Sequence, residues 1–250
     1  HGAFADYPKD AQIMQGYLPI GDEEELRAAQ PMCRQKILEK HLNAGVIIVD
    51  TNAVYIDPRV EIGAGTTILP GTILQGKTVI GKNCTLGPQA MVRDCVVGDE
   101  TQINASQINE SSIGNHTTVG PFAYVRPNSR IGDHVKVGDF VEIKNSVIGN
   151  GTKISHLTYV GDTDCGERVN FGCGTVTTNY DGQRKYRCTI ENDAFIGCNT
   201  NLVAPVTVGS GSYIAAGSTI TEEVPAGSLA IARSKQSVKP GWAEKRRKTL

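Results

Sequence analysis

The sequence predicts an all-β solenoid, a parallel β-helix of hexapeptide repeats with a short helical linker before it and an arm after it. Three observations predict it. An aliphatic residue recurs every sixth position, as in Ile56, Ile62, Ile68, Leu74, Ile80, Leu86, Val92 and again in Ile113, Val119, Val125, Ile131, Val137, Ile143. Glycine often follows that residue, as in "IGAGTT", "IGKNCT" and "VGSGSY", and Thr, Ser, Cys or Ala commonly stands two before the next one. Glycine is abundant at 28 residues while aromatics make up only 6%, a composition of corners and small interiors. A period of six matches neither a helix at 3.6 nor one long strand at 2. It fits short strands that turn a corner every sixth residue, so that three flat faces close into a prism of about 18 residues per coil.

Taken in chain order, residues 1–50 read as an amino-terminal remnant and linker helix, 51–227 as the solenoid and 228–250 as a carboxy-terminal arm. Residues 1–21 carry no period. Asp22 with Glu25 three residues on is a helix-capping pattern. Leu26, Ala29, Cys33 and Ile37 then supply an apolar stripe as far as Asn43 and Gly45, with Pro31 expected to bend or split it. From residue 56 to 220 the repeat gives about nine coils stacked about 4.8 Å apart, a prism about 40 Å long. Five-residue steps interrupt it near Val97, Ile103 and Ile108. The tail "KPGWAEKRRKTL" reads as a solvated arm that docks on a neighbour.

Composition excludes several classes of function. Lys+Arg of 25 against Asp+Glu of 26 gives no electrostatic reason to expect a nucleic acid or an anionic membrane as partner. No apolar run approaches the roughly 20 residues that span a bilayer, and no secretory segment opens the chain, so a cytoplasmic protein is expected. Seven cysteines form no C-x-x-C pair and are read as reduced small residues.

Chemistry is expected where the repeat is broken. Arg126 follows Val125 and Lys144 follows Ile143, each in the slot glycine usually fills, and they are 18 apart. Two cations stacked at one corner repel unless something anionic lies between them. Either Glu142 or Asp139 neutralises them as a surface network, or a phosphate does. In "KISHLTYVGD" His156 stands two past Ile154, outside the inward-facing slots, which leaves it solvated or catalytic. Tyr159 precedes Val160 and Asn170 precedes Phe171, and the two are expected to share a rim with His156.

After Thr177 the stretch "TNYDGQRKYRCT" adds seven residues to one hexad before Ile190, bringing in Asn179, Tyr180, Asp181 and Lys185. Such a loop is either a binding element or a tolerated insertion. Cys198 and Ala216 each stand two past an aliphatic marker, 18 apart. They form a narrow strip that is either plain surface or a seat for an extended cofactor arm, with Arg233 just beyond the last coil.

The motifs "FAYVRPNSRIGDHVKVGDFVEIKNS", "SHLTYVGD", "VNFGCGTVTTNYDGQRKYR", "FIGCNTNLVAPVTVG" and "YIAAGSTIT…AIAR", in that order, resemble the acetyltransferase half of the bacterial bifunctional GlmU family over about residues 23–242. The resemblance implies a left-handed β-helix and a homotrimer with sites between subunits. It implies acetyl transfer from acetyl-CoA to the amine of glucosamine 1-phosphate on the route to UDP-N-acetylglucosamine, with no metal. It makes His156 the general base and Arg126, Lys144 and Lys185 the sugar-phosphate contacts. Glu142, Tyr159, Asn170, Asn179 and Tyr180 match positions that shape the sugar site or support the histidine. Cys198, Ala216 and Arg233 match cofactor contacts, Cys198 standing where serine is usual.

The family's preceding nucleotide-transferring domain, with its glycine-rich signature, has no counterpart here, so uridylyl transfer is expected to be absent from this chain. Opening at His1 reads as a processed or cloned piece.

With the substrate amine as nucleophile, no acyl-enzyme is needed. A route through an acetylated Cys198 is disfavoured because no base is expected at its coil phase. Three rivals stand against this reading. One is a metal hydratase using His116 and His134, which lie one coil apart; another is a non-catalytic scaffold; the third is an N-acetyltransferase for a nucleotide-linked amino sugar.

Overall fold

The computed structural model describes residues 20–247, so the expectation for residues 1–19 and the last three residues of the tail lie outside the described residues. Helix α1 spans Glu23–Asn43. Its cap is the one foreseen: the Asp22 carboxylate accepts from the N–H groups of Glu24 (2.9 Å) and Glu25 (2.8 Å). Glu25 reaches back to the N–H of Gly21 at 2.6 Å, one residue earlier than a capping box requires. Pro31 does not split the helix. The carbonyl it leaves unserved belongs to exposed Arg27, open to water.

The apolar stripe is corrected too, since Ala29, Leu38 and His41 are buried while Leu26 and Cys33 are exposed. The reason is that the helix rests on the first coils mainly through its second half. There the Arg34 guanidinium donates to the carbonyls of Thr51 (2.7 Å) and Val54 (3.1 Å) and Leu38 joins the core.

From Ile47 to Ala230 the chain winds as a left-handed parallel β-helix. Three parallel sheets of 11, 10 and 9 strands form its faces among the described residues, each strand pairing with the third one before and after it except that Tyr213–Ile214 pairs with the second one on, Leu229–Ala230. The first sheet begins at Ile47–Ile48 and ends at Leu229–Ala230, so strand pairing runs beyond both ends of the 56–220 repeat.

The aliphatic positions stack in register. Val119, Val137, Ile154, Phe171, Ile196 and Ile214 form a ladder in the first sheet, and Val125, Ile143 and Val160 in the second. Coils in the middle of the solenoid hold 17 residues, as the pairs Val137↔Ile154 and Ile143↔Val160 show, because one of their three steps has five residues.

Small residues two before each marker do more than fit a narrow interior. The hydroxyl of Thr117 donates to the Gly132 carbonyl (2.8 Å) and accepts from the Val135 N–H (3.1 Å), stitching one coil to the next inside the core. Thr66 does the same with Gly81 and Cys84. A hydroxyl satisfied in this way costs little to bury, whereas an unpaired one would destabilise the coil by about 1–3 kcal/mol.

At the corner between the first and second sheets the backbone is left-handed. Phe122, Phe140 and Leu157 occupy it on successive coils with φ of 57°, 55° and 43°. All three are exposed, and the two phenyl rings stack at 5.6 Å. Helix α2 (Trp242–Arg247) ends the described chain with no buried residue.

Candidate active site

The second sheet carries the cations. Val125, Ile143 and Val160 are fully buried on adjacent strands, and strand alternation turns their neighbours outward. Tyr124, Glu142 and Tyr159 therefore lie side by side, with Lys144 level with Gly161.

Each cation has its own carboxylate. Arg126 Nη1 is 2.8 Å from Glu142 Oε1, a bond that raises the arginine's pKa further. Lys144 Nζ is 3.5 Å from Asp162 Oδ2. Asp139, expected as a neutraliser of these cations, is not near them: it belongs to the first sheet, in strand Lys136–Asp139.

The insertion brings the third cation. Lys185 lies close enough to Lys144 that the neighbouring ammonium holds it below the usual lysine range, with the Arg126 charge adding to the effect. The loop is built for this. Tyr180 and Lys185 form an antiparallel bridge, and the Asp181 carboxylate accepts from the N–H groups of Gln183 (2.7 Å) and Arg184 (2.6 Å). Arg187 pairs with Asp164 and donates to the Asn145 carbonyl at 3.0 Å. Asn179 is buried, its amide 3.5 Å from the Tyr159 hydroxyl. Tyr180 is exposed, and its hydroxyl donates to the Gly182 carbonyl at 2.6 Å.

His156 sits at the other edge of this face. It ends strand Lys153–His156 of the first sheet, just before the corner at Leu157. Its Nδ1 is 2.8 Å from Oδ1 of Asp139, and that bond holds the Asp139 carboxyl below the ordinary range. The partner was countable in the sequence, since Asp139 is two past Val137 as His156 is two past Ile154.

From Lys144, level with Gly161, back to His156 is five residues, a span on the order of 13 Å allowing for the turn. The predicted residues thus flank one face from two edges rather than lining a single edge.

The same offset continues along the solenoid. His156, Cys173, Cys198 and Ala216 are stacked on four successive coils, each two past its marker. This corrects the expectation that no base shares the phase of Cys198. His156 does, two coils or about 10 Å away, with Cys173 between them.

Glycine at 172 and 197 lets the next coil pack closely, because a Cβ there would fall 2.5 Å from the backbone nitrogens of Cys198 and Ala216, and glycines such as Gly63, Gly149 and Gly209 do the same elsewhere along the solenoid. The Arg233 side chain packs beside Gly217, at the far end of the column. Asn170 does not share a rim with Tyr159: it lies at the start of a first-sheet strand, opposite Lys153 and Phe195.

His116 and His134 stack face to face, centroids 4.8 Å apart at 3°, with His116 Nδ1 3.3 Å from Glu100. Among the described residues no group of three or more His, Cys, Asp or Glu side chains is placed to hold a metal ion, and no helix is long and apolar enough to cross a membrane. A cleft of about 1130 Å³ under α1 lies beside the first coils, away from all of these residues.

The profile of the bacterial transferase hexapeptide (six repeats) family matches residues 59–94, 110–145 and 187–222. The chain is 53% identical over 227 residues to the bifunctional protein GlmU of Caldanaerobacter subterraneus subsp. tengcongensis, covering 91% of this chain and 50% of that protein. It is 54% identical over 229 residues to the GlmU protein of Clostridium acetobutylicum, covering 92% and 50%. The chain spans about half the length of the curated relatives it matches. Among solved structures, the Francisella novicida UDP-N-acetylglucosamine acyltransferase aligns at 17% identity over 80% of this chain and 73% of that chain, with a TM-score of 0.49.

Proposed function

Since this chain belongs to the bacterial hexapeptide-repeat transferases and matches the repeat domain of the GlmU proteins, we propose that it transfers acetyl from acetyl-CoA to the amine of glucosamine 1-phosphate. The observation that carries the reading is one face of the solenoid with the His156–Asp139 pair at one edge and Arg126, Lys144 and Lys185 at the other. A phosphorylated amino sugar needs both, an anion clamp at C1 and a base at its amine.

The Asp139 bond occupies Nδ1 of His156, which leaves Nε2 to accept a proton. The amine lone pair attacks the thioester carbonyl carbon while His156 takes the ammonium-derived proton. The tetrahedral oxyanion is held by main-chain N–H groups near Cys198 and Ala216. As the C–S bond breaks, the imidazolium returns the proton to the departing sulfur, giving N-acetylglucosamine 1-phosphate and CoA. Tyr159, Asn179 and Tyr180 shape the sugar pocket in this reading, and Cys198, Ala216 and Arg233 seat acetyl-CoA.

The reaction would take place in the cytoplasm and in a homotrimer. An open face needs a second wall to enclose a sugar. The exposed ridge of Phe122, Phe140 and Leu157 beside His156 supplies apolar surface for a second copy.

The test is thiol release from acetyl-CoA with glucosamine 1-phosphate, unphosphorylated glucosamine and UDP-glucosamine compared. Release is expected to be fastest with glucosamine 1-phosphate. No release with any of them, or preference for the UDP-linked sugar, sinks the reading.

A further inference from the structure

Resting on the reading above, we propose that Asp162 is a positioning residue that presets the phosphate clamp, by holding Lys144 in place and pinning both ends of the loop that brings Lys185 beside it. Asp162 is buried, its side chain only 6% exposed against 19% for Lys144. Its Oδ1 accepts from the Asn145 amide. Its Oδ2 accepts from the Asn179 amide and pairs with Lys144.

The main chain of the same residue is engaged on both sides. The Asp162 N–H donates to the Lys144 carbonyl (2.9 Å), and its carbonyl accepts from the N–H of Cys188 (3.1 Å). Asn179 opens the insertion and Cys188 closes it, so one residue grips both feet of the loop and the cation-bearing strand of the preceding coil.

The backbone does not by itself require this side chain. Asp162 has a φ of 49°, a left-handed corner that glycine or asparagine serves as well. What aspartate adds is a charge. Burial pushes its carboxyl up, but the bonds from Asn145 and Asn179 and the Lys144 charge outweigh burial and keep it ionised. Without that charge, Lys144 and Lys185 would repel across the loop and swing apart.

The same charge also opposes an incoming phosphate. Positioning and simple repulsion therefore predict opposite results when it is removed, which makes the experiment decisive.

In the full chain, Asp162→Asn keeps the shape and removes the charge. Its KM for glucosamine 1-phosphate is expected to rise at least about tenfold with kcat within about twofold. Trypsin, which cuts after Arg184, Lys185 and Arg187, is expected to nick the loop several times faster than in the wild type. An unchanged or lowered KM, or unchanged cleavage, overturns the proposal.

Asn145→Gly serves if Asp162→Asn fails to fold, because it keeps the left-handed corner at residue 145 and removes only one arm of the network. A KM rise of about threefold is expected, and no rise overturns the proposal. Absence of thiol release in the wild type would instead reject the transferase reading, while the loop-cleavage comparison would still judge the role of Asp162.

Discussion

His156 and Asp139 face each other across adjacent coils, Nδ1 to Oδ1 at 2.8 Å. The carboxylate holds the ring by Nδ1 and so aims Nε2 at the amine's proton. His156→Ala is expected to lose most of kcat, by about 10²-fold or more, while glucosamine 1-phosphate still binds. Asp139→Asn should lower kcat by about 10-fold or more with KM nearly unchanged. Undiminished turnover in the alanine variant would remove His156 from the mechanism.

Lys144 pairs with Asp162 at 3.5 Å, and its charge bears on Lys185. Lys144→Ala should weaken glucosamine 1-phosphate binding by about 10-fold or more, leaving unphosphorylated glucosamine unaffected. Calorimetric titration of both sugars checks it, and equal affinity of wild type and variant for the phosphorylated sugar contradicts the clamp.

Cys173 and Cys198 lie in the column that begins at His156, and Cys198 is exposed. A small side chain is all the column needs at these positions. Cys198→Ser is therefore expected to keep kcat within about threefold of wild type. Alkylation of Cys198 with a bulky maleimide should abolish transfer, and prior CoA should protect against it. Loss of activity in the serine variant would instead point to a thiol function.

Ile143 is fully buried beneath the Glu142–Lys144 strand, between Val125 and Val160. Ile143→Ala leaves a cavity in a ladder and is expected to destabilise the fold by about 2–5 kcal/mol. Urea unfolding monitored by far-ultraviolet circular dichroism measures it, and a change below about 1 kcal/mol would mean that the ladder repacks freely.

Two sets of groups give the fold an acid profile in two steps. His41 is buried with no partner for Nε2, and burial, helped by the Lys40 charge, lowers its pKa. A histidine depressed in this way stabilises the fold above its unfolded value near 6.5, and that contribution is lost as pH falls below it. Asp164 and Asp193 are depressed by hydrogen bonds from Arg187 and Arg168, and their contribution, present above about pH 4, fades below it. The melting midpoint should fall first between about pH 6.5 and 5 and again below about pH 4. His41→Leu should flatten only the first step, which a midpoint-against-pH series would show.

A spacing of six, a small residue two before each marker and a glycine after it were enough to determine the solenoid, its three faces and the projecting loop. The reason is local: each hexad repeats the same inward slot and corner, so every coil imposes its register on the next. Asp22 likewise announced the start of α1. Counting offsets alone also placed Arg126 beside Lys144 and Cys198 beside Ala216.

Counting offsets can set Asp139 level with His156, but only the tertiary structure decided which charges bond. Asp139 pairs with His156 instead of the cations, Asp162 underlies Lys144, and Asn170 lies on a different face from Tyr159. Steps of five among steps of six change the spacing of the numbers that pair while the markers stay in register, and the insertion folds back onto an earlier coil by contacts that no period encodes. Ion pairing depends on distances of a few ångströms between coils, and these exist only once the prism has closed.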